Sequence, residues 1–191
     1  AYEIVTYSLF ETVITCLEAE VSVCVPQKNR ELLKEFADLG RVLLGLHEDE
    51  TEWTQLAHVY RVGVTNAADR GLDMWTNFGP AVQVKHLTLD QSLAKTIVNQ
   101  VESDCMVIVC RDADAQVLEM VTQQISWGSR VRAVVKESQL VQWYEQCLRG
   151  KFANQLADRL LQELSASLHR EFPQVSELAN FFQERGYNIS L

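Results

Sequence analysis

The sequence predicts an α/β fold with a mixed antiparallel and parallel sheet and a helical C-terminal extension. Three observations support this prediction. Apolar residues near the start recur at helical spacing, residues 57–88 change to strand-like segments separated by turns, and residues 90–135 alternate between helical and apolar strand patterns. The expected order of the core is therefore αβββαβ, in which short turns join antiparallel strands and helices join parallel strands.

The first half of the chain contains two helical patterns and a meander of three strands. Ile4 and Val13 belong to a helix over residues 2–17, and residues 21–25 then alternate as a short strand that Pro26 ends. The remaining segments are a helix at 30–46, an acidic surface loop at 47–52, strands at 58–65, 72–78 and 81–87, and turns at 66–71 and Gly79-Pro80.

The second half alternates between helices and strands before it becomes entirely helical. Asp90 is a suitable N-cap for a helix over residues 90–101. The segments that follow are strands at 105–110 and 130–135, a helix at 115–125 between them, helices from residue 137 onward, and a last helix from Pro173 toward Phe182. We therefore expect a core over residues 1–136 and a helical extension over residues 137–191 that packs on it.

Composition excludes disordered, fibrous and membrane-spanning classes. The chain is 47% hydrophobic and 23% charged, as packed soluble proteins are. No apolar run approaches the ~20 residues of a membrane helix, and the start lacks the pattern of a signal peptide. Five cysteines without a CxxC pair predict free thiols in a reducing compartment, and the four histidines show no spacing typical of zinc ligands.

The charge distribution argues against a generic binder of polyanions. Seventeen Lys and Arg residues against 26 Asp and Glu residues give a net charge of −9. Residues 1–60 hold 11 acidic and 4 basic side chains, whereas residues 61–100 hold 3 acidic and 4 basic ones. Because the acidity lies mainly in the N-terminal third, a local nucleic-acid site remains compatible with the sequence.

Three polar side chains point to a hydrolytic site. Gln83 and Lys85 lie two apart on the expected third strand, so they face the same side while Val82 and Val84 enter the core. A hairpin around Gly79-Pro80 brings Asp73 beside them. Carboxylate and amide oxygens suit a hard cation such as Mg²⁺, and an ammonium group stabilises a developing oxyanion. The alternative is a structural Asp73 with a surface Lys85.

The spacing of Asp73 and Gln83-Val84-Lys85 resembles the PD-(D/E)XK nuclease superfamily, in the variant with Gln at the usual acidic position. A closer similarity is to the HaeII-type family of type II restriction endonucleases, and it extends over essentially the whole chain. It is carried by residues 61–75, 77–79 and 83–87, with further support at 2–5, 143–145, 148–152 and 171–173.

The resemblance implies a restriction-endonuclease-like αβββαβ core and Mg²⁺-dependent cleavage of double-stranded DNA at the palindrome RGCGCY. Asp73 is then a metal ligand, Gln83 the variant second ligand, and Lys85 the residue that stabilises charge or orients water. Glu3 or Glu11 of the first helix is a candidate further ligand, or else a solvated helix acid. Because the family's chains are longer at the N-terminus, the resemblance implies that this chain is a C-terminal catalytic region. The additional N-terminal part of the family's chains is a candidate source of basic DNA contacts.

Residues that contact DNA are expected among the polar side chains of the same segments. Guanine is read best by bidentate Arg or Lys, although each such residue is also a candidate phosphate contact or surface charge. Asp69 either positions Arg70 or a second metal, or caps a turn. The candidates are Arg61, Asn66, Asp69, Arg70, Asn77, His86, Arg130, Arg132 and Lys136. Trp75, Trp127, Trp143 and Tyr144 suggest base stacking, but their apolar neighbours favour core packing.

A palindromic site implies two symmetric active sites and therefore a homodimer. The resemblance further implies a cognate DNA methyltransferase, a bacterial cytoplasmic location and no membrane. Two alternatives stay open at this point. One is a repair or junction-resolving nuclease of the same fold, and the other is a catalytically inactive DNA-binding or regulatory module.

Overall fold

Five strands form a mixed sheet, and helices cover both of its faces. The protein is represented by a computed structural model that describes residues 2–62, 72–101 and 103–172. The sheet has the order β3-β4-β5-β6-β7, with the first three strands antiparallel and the last three parallel. Its strands are β3 (Val59–Arg61), β4 (Met74–Thr76), β5 (Ala81–Leu89), β6 (Met106–Ala113) and β7 (Val131–Lys136). The predicted α/β fold with a mixed sheet is confirmed.

Helix α1 (Tyr2–Cys16) precedes the sheet, and an insertion separates the two. The insertion contains a second, two-stranded antiparallel sheet of β1 (Glu20–Cys24) and β2 (Glu52–Leu56). Strand β2 lies just after the acidic loop and was absent from the sequence-based prediction. Its formation depends on pairing with β1 across about thirty intervening residues, which no local pattern reveals.

The helix predicted over residues 30–46 is broken into short pieces, so this prediction is wrong in part. The pieces are a 3₁₀ turn at Gln27–Asn29, α2 (Arg30–Glu35), α3 (Ala37–Leu39) and a π-helical turn at Gly40–Leu44. Most apolar side chains of this segment stay exposed, including Leu32, Val42 and Leu43. Since packing of an apolar face provides most of the stability of a helix, a face without a packing partner does not sustain a continuous one.

The second half of the chain follows the predicted alternation of helices and strands. Helix α4 (Gln91–Gln100) begins after Asp90, whose side chain accepts a hydrogen bond from the Leu93 N–H at 2.7 Å, so the predicted N-cap is confirmed. Helix α5 (Ala115–Thr122) connects β6 to β7. Two connections, each containing one α-helix, therefore join the three parallel strands β5, β6 and β7.

The two faces of the sheet bury separate cores. On one face, α4 and α5 pack on β5, β6 and β7 around Ile97, Ile108 and Val117. On the other face, α1 packs with α6 (Glu137–Arg149) and α7 (Ala153–Glu171) over Val82 and Val84. The second core combines Leu9 with Leu140 and Leu160, so the predicted extension packs on the first helix as far as residue 172. The division at residue 136 stays a prediction, and the last predicted helix lies outside the described residues.

Two further sequence-based expectations concern thiols and membranes. All five cysteines are free, with Cys110 and Cys147 buried and Cys24 exposed. Among the helices in the described parts of the chain, none combines the length and the apolar character that crossing a bilayer requires.

Arg130 ties the C-terminal end of α4 to the start of β7. Its Nη1 donates to the Val98 carbonyl at 2.9 Å, its Nη2 to the Val101 carbonyl at 2.7 Å, and its Nε to the Ser103 carbonyl at 3.0 Å. The last carbonyls of a helix lack partners within the helix and carry partial negative charge. The guanidinium group therefore satisfies acceptors that would otherwise be buried without a donor.

Arg130→Ala should lower the free energy of unfolding by about 2–4 kcal/mol, because it leaves several carbonyl groups at the end of α4 without donors. Urea unfolding followed by circular dichroism measures this change. Arg132→Ala is the matched control, since it removes the same charge two residues away from an exposed position and should change stability by about 0.5 kcal/mol or less. Equal effects of the two substitutions would contradict this structural role for Arg130.

Candidate active site

The candidate site lies where β4 and β5 begin to separate. Met74 pairs with Val82 across the hairpin, so Asp73 comes opposite Gln83. Gly79, with a φ of +120°, lies in the connecting turn and has a conformation that favours glycine. One oxygen of Asp73, Oδ2, accepts hydrogen bonds from the Gln83 side-chain amide and from the Val84 N–H, the latter at 2.6 Å. The structure therefore brings Asp73 and Gln83 together as the hairpin predicts.

Gln83 is buried in the first half of β5. Its exposed fraction is 2%, and both of its neighbours Val82 and Val84 are also buried. Strand β5 is flanked by a strand on each side and covered by helices on both faces, so neither face of its first half reaches solvent. A buried amide requires hydrogen-bond partners. The Gln83 amide meets that requirement by donating to Asp73, which also fixes the position of the carboxylate.

The Asp73 carboxylate is held in a low-polarity setting. Burial raises the pKa of Asp73 above its ordinary value, while the Val84 N–H, the Lys85 charge and the Gln83 amide act in the opposite direction. Lys85 is half-buried on the same strand. The positive charge of Lys85, two residues after Gln83, thus favours the ionised form of the Asp73 carboxylate.

Glu3 of α1 adds a second carboxylate to the site. Burial raises the pKa of Glu3, and the Asp73 charge raises it further. Arg61 opposes this effect, since its Nη1 lies 3.8 Å from Glu3 Oε1 and its Nη2 lies 2.7 Å from Glu171 Oε2. Glu171 is 110 residues from Arg61 in sequence, and sequence reasoning gave it no role because no local spacing connects the two.

The donor set fits a hard divalent cation. Two partly buried carboxylates, each with a raised pKa, form an arrangement that a cation stabilises. Within the described ranges, no group of three or more His, Cys, Asp and Glu side chains has the geometry to hold a metal ion. Mg²⁺ commonly uses one or two carboxylates and completes its shell with water and substrate oxygens. Asp73 and Glu3 offer two such carboxylates, and the charge of Asp73 acts on Glu3.

Glu11, the other candidate ligand of α1, lies at the opposite end of β3. Its Oε2 accepts a hydrogen bond from the Val59 N–H at 2.9 Å, and its Oε1 accepts one from Thr15 at 3.1 Å. The Asp73 backbone instead contacts Val62, just after the other end of the strand. Glu11 therefore ties α1 to the beginning of β3 and does not join the carboxylate pair.

Several candidate DNA contacts are occupied within the protein. Arg61 is 8% exposed and engaged with two carboxylates, and the Arg130 guanidinium group donates to backbone carbonyls. Asn77 accepts from the His58 N–H and donates to the Leu56 carbonyl, both at 2.8 Å. These three side chains have structural roles within the protein, and their assignment as DNA contacts stays a prediction.

The remaining basic candidates lie nearer the surface. Arg132 is exposed, Lys136 Nζ lies 3.5 Å from Asp112, and the exposed His86 lies 3.6 Å from Glu137. Asn66, Asp69 and Arg70 lie outside the described residues.

The core packing predicted for the aromatic residues holds for three of them and is wrong for Trp75. Trp127 is 8% exposed in the core under α4 and α5, and Trp143 and Tyr144 pack against the core under α1. Trp75 is 45% exposed and stacks on Tyr60. Its apolar sequence neighbours do reach the core, but strand alternation turns Trp75 to the other face of β4.

Asp73→Asn should raise the free energy of unfolding at neutral pH in buffer containing EDTA. A carboxyl group with a raised folded pKa stabilises the fold fully below its ordinary pKa of 3.8, and this contribution is lost as the pH rises through the folded pKa. Asn cannot ionise, and it keeps a carbonyl acceptor for the Val84 N–H. The difference between variant and wild type should disappear as the pH falls below 3.8.

Urea unfolding at a series of pH values tests this expectation. Asp104→Asn serves as control because Asp104 is exposed, so its replacement should give no comparable gain at neutral pH. A wild-type protein more stable than the Asp73 variant at neutral pH would contradict the account of a carboxylate destabilised by burial.

Comparisons with known proteins identify the family of the chain. The chain matches the HaeII restriction endonuclease family over residues 1–187. It is 41% identical over 192 residues to "Type II restriction enzyme HaeII" of Haemophilus aegyptius and 43% identical over 193 residues to "Type II restriction enzyme NgoBI" of Neisseria gonorrhoeae. Each alignment covers 100% of this chain and 54% of the relative.

The chain thus spans about half the length of the curated relatives it matches. No solved structure matches it. Because the family match extends over nearly all of its residues, the chain belongs to the HaeII restriction endonuclease family.

Proposed function

We propose that the full-length protein is a Mg²⁺-dependent type II restriction endonuclease that hydrolyses phosphodiester bonds of double-stranded DNA at RGCGCY. The observation that carries this proposal is the partly buried Asp73 carboxylate, which Gln83 and Val84 fix between two strands and whose charge acts on Glu3. A cleavage site for a phosphodiester needs carboxylate oxygens for a cation and a positive group near the developing charge. Asp73, Glu3 and Lys85 provide these groups.

Each residue has a distinct proposed role. Asp73 and Glu3 hold Mg²⁺, which neutralises negative charge on the scissile phosphate when it is bound. Gln83 keeps the carboxylate of Asp73 in one orientation, and its amide oxygen is the proposed variant ligand in place of an acid. Lys85 stabilises the charge that develops on the phosphate or orients the attacking water.

The proposed function has consequences for assembly and context. A palindromic target presents two identical strands, so a symmetric homodimer with one site per strand fits it. A cell that carries such an enzyme needs a cognate methyltransferase that protects its own DNA, and both proteins act in the bacterial cytoplasm.

Plasmid DNA with one RGCGCY site, digested by the full-length protein in Mg²⁺ and sequenced at its ends, tests the proposal directly. Cleavage of branched DNA in preference to the palindrome would favour a junction-resolving nuclease.

Asp73→Ala and Lys85→Ala should each lower the rate of plasmid cleavage by at least about 100-fold, because each removes a preorganised charge from the site. Cleavage is followed on agarose gels, and melting temperature reports whether the fold persists. The matched controls are Asp104→Ala and Lys95→Ala, which remove the same charges from exposed positions and should leave cleavage unchanged. Wild-type rates in either site variant would remove that residue from the proposed site.

Gln83→Leu and Gln83→Glu should differ in their dependence on Mg²⁺. The Leu side chain has a similar volume but no polar atom, so cleavage should fall by about 100-fold or more. The Glu side chain adds a charge beside Asp73, which destabilises the protein without a cation and raises its affinity for one. We therefore expect the Glu variant to cleave DNA at a lower optimal Mg²⁺ concentration.

Melting temperature with and without Mg²⁺ provides an independent readout for the same pair. Mg²⁺ should raise the melting temperature of the Glu variant more than that of the wild type and should leave the Leu variant nearly unchanged. An active Leu variant together with an inactive Glu variant would mean that Gln83 supports the strand and that other residues hold the metal.

A further inference from the structure

An exposed aromatic stack lies on the antiparallel part of the sheet. Tyr60 of β3 and Trp75 of β4 are directly paired in register, and their rings lie 4.1 Å apart between centroids at an interplanar angle of 18°. Their exposed fractions are 38% and 45%. Because the stacked rings cover each other's inner faces, the aromatic surface that they offer is the outer face of each ring, and we call this pair the Tyr60–Trp75 platform.

The platform is exposed because the helices on its face stop short of it. Trp75 pairs with Ala81, and Ala81 belongs to the core that α4 and α5 cover. The buried strand residues of that core come from β5, β6 and β7, and none of them comes from β3 or β4. Met74, next to Trp75, is fully buried on the opposite face under α1. Strands β3 and β4 are therefore covered on one face, while the described residues leave the platform side open.

The platform borders the candidate active site. Trp75 follows Asp73 by two residues, and its partner Ala81 precedes Gln83 by two residues. Residues two apart on a strand share a face and lie about 7 Å apart. The platform and the Asp73–Gln83 pair consequently occupy neighbouring positions along the same two strands.

We propose that the Tyr60–Trp75 platform stacks against a nucleobase next to the phosphodiester that Asp73 and Lys85 act on. This inference rests on the proposed function, since it assigns a DNA contact to the same site. An aromatic face stacks on an unstacked base without requiring charge, which suits a chain whose net charge of −9 opposes approach to phosphate. A base of a duplex becomes available to the platform when it leaves its own stack, which costs free energy. The stack between the two rings keeps Trp75 in a fixed orientation, so little freedom is lost when a base packs on it.

The test measures binding of the full-length protein to a duplex that contains RGCGCY, with Ca²⁺ in place of Mg²⁺ to hold cleavage back. Trp75→Leu should weaken binding by about 10-fold or more, whereas Trp75→Phe should stay within about 3-fold of wild type because it keeps an aromatic face. The dependence of affinity on salt should be unchanged in both variants, since no charge is removed. Melting temperatures show whether each variant is folded.

Phe152→Leu is the matched control. Phe152 is 55% exposed but borders the cavity on the α1 side of the sheet, together with Phe10 and Leu156. Its replacement should leave DNA affinity at the wild-type level. A 2-aminopurine placed beside the cleaved bond gives a second readout, because stacking on Trp75 should change its fluorescence in the wild type and the Phe variant but not in the Leu variant.

The possible outcomes separate this inference from the proposed function. A wild-type protein that binds and cleaves the duplex, with a Leu variant of equal affinity and an equal 2-aminopurine signal, would overturn the platform and leave the nuclease function intact. A wild-type protein that binds no duplex DNA at all would overturn both. Equal losses in the Phe and Leu variants would also overturn the inference, since they would indicate a need for the indole group and not for a flat aromatic surface.

Discussion

Strand β5 (Ala81–Leu89) holds the two halves of the sheet together, because it pairs antiparallel with β4 on one side and parallel with β6 on the other. Its first four residues are buried, since helices cover both faces of this segment. The antiparallel side positions Asp73 opposite Gln83, and the parallel side anchors the strand in the α4 and α5 core. The geometry of the candidate site thus follows from the pairing of a single central strand.

That pairing places a carboxylate where burial disfavours its charge. Asp73 accepts two hydrogen bonds and lies near Lys85, yet its pKa stays above the ordinary value. Glu3 is in the same condition, and Arg61 compensates part of its charge. A carboxylate in this state lowers the stability of the fold at neutral pH, because burial disfavours its charged form.

The sequence predicted those features that depend on local pattern. Asp90 as an N-cap and the hairpin that joins Asp73 to Gln83 follow from residue type and spacing over a few positions. Features set by distant packing escaped prediction. Trp75 is exposed because α4 and α5 cover only β5 to β7, and the ion pair between Arg61 and Glu171 joins residues 110 apart. No local periodicity carries information on which helix covers which strand.

The packing of α1 on α7 joins elements from opposite ends of the described chain. On the ribosome, α1 emerges before α7, so the part of α1 that α7 covers stays exposed until residues 153–171 have been made. Glu171, which holds Arg61 beside Glu3, is the last residue of that helix. A chain that ends before α7 therefore lacks the packing of α7 on α1 and the ion pair between Arg61 and Glu171. Completion of α7 thus provides the helical packing on α1 and the Glu171 partner of Arg61 in the same step.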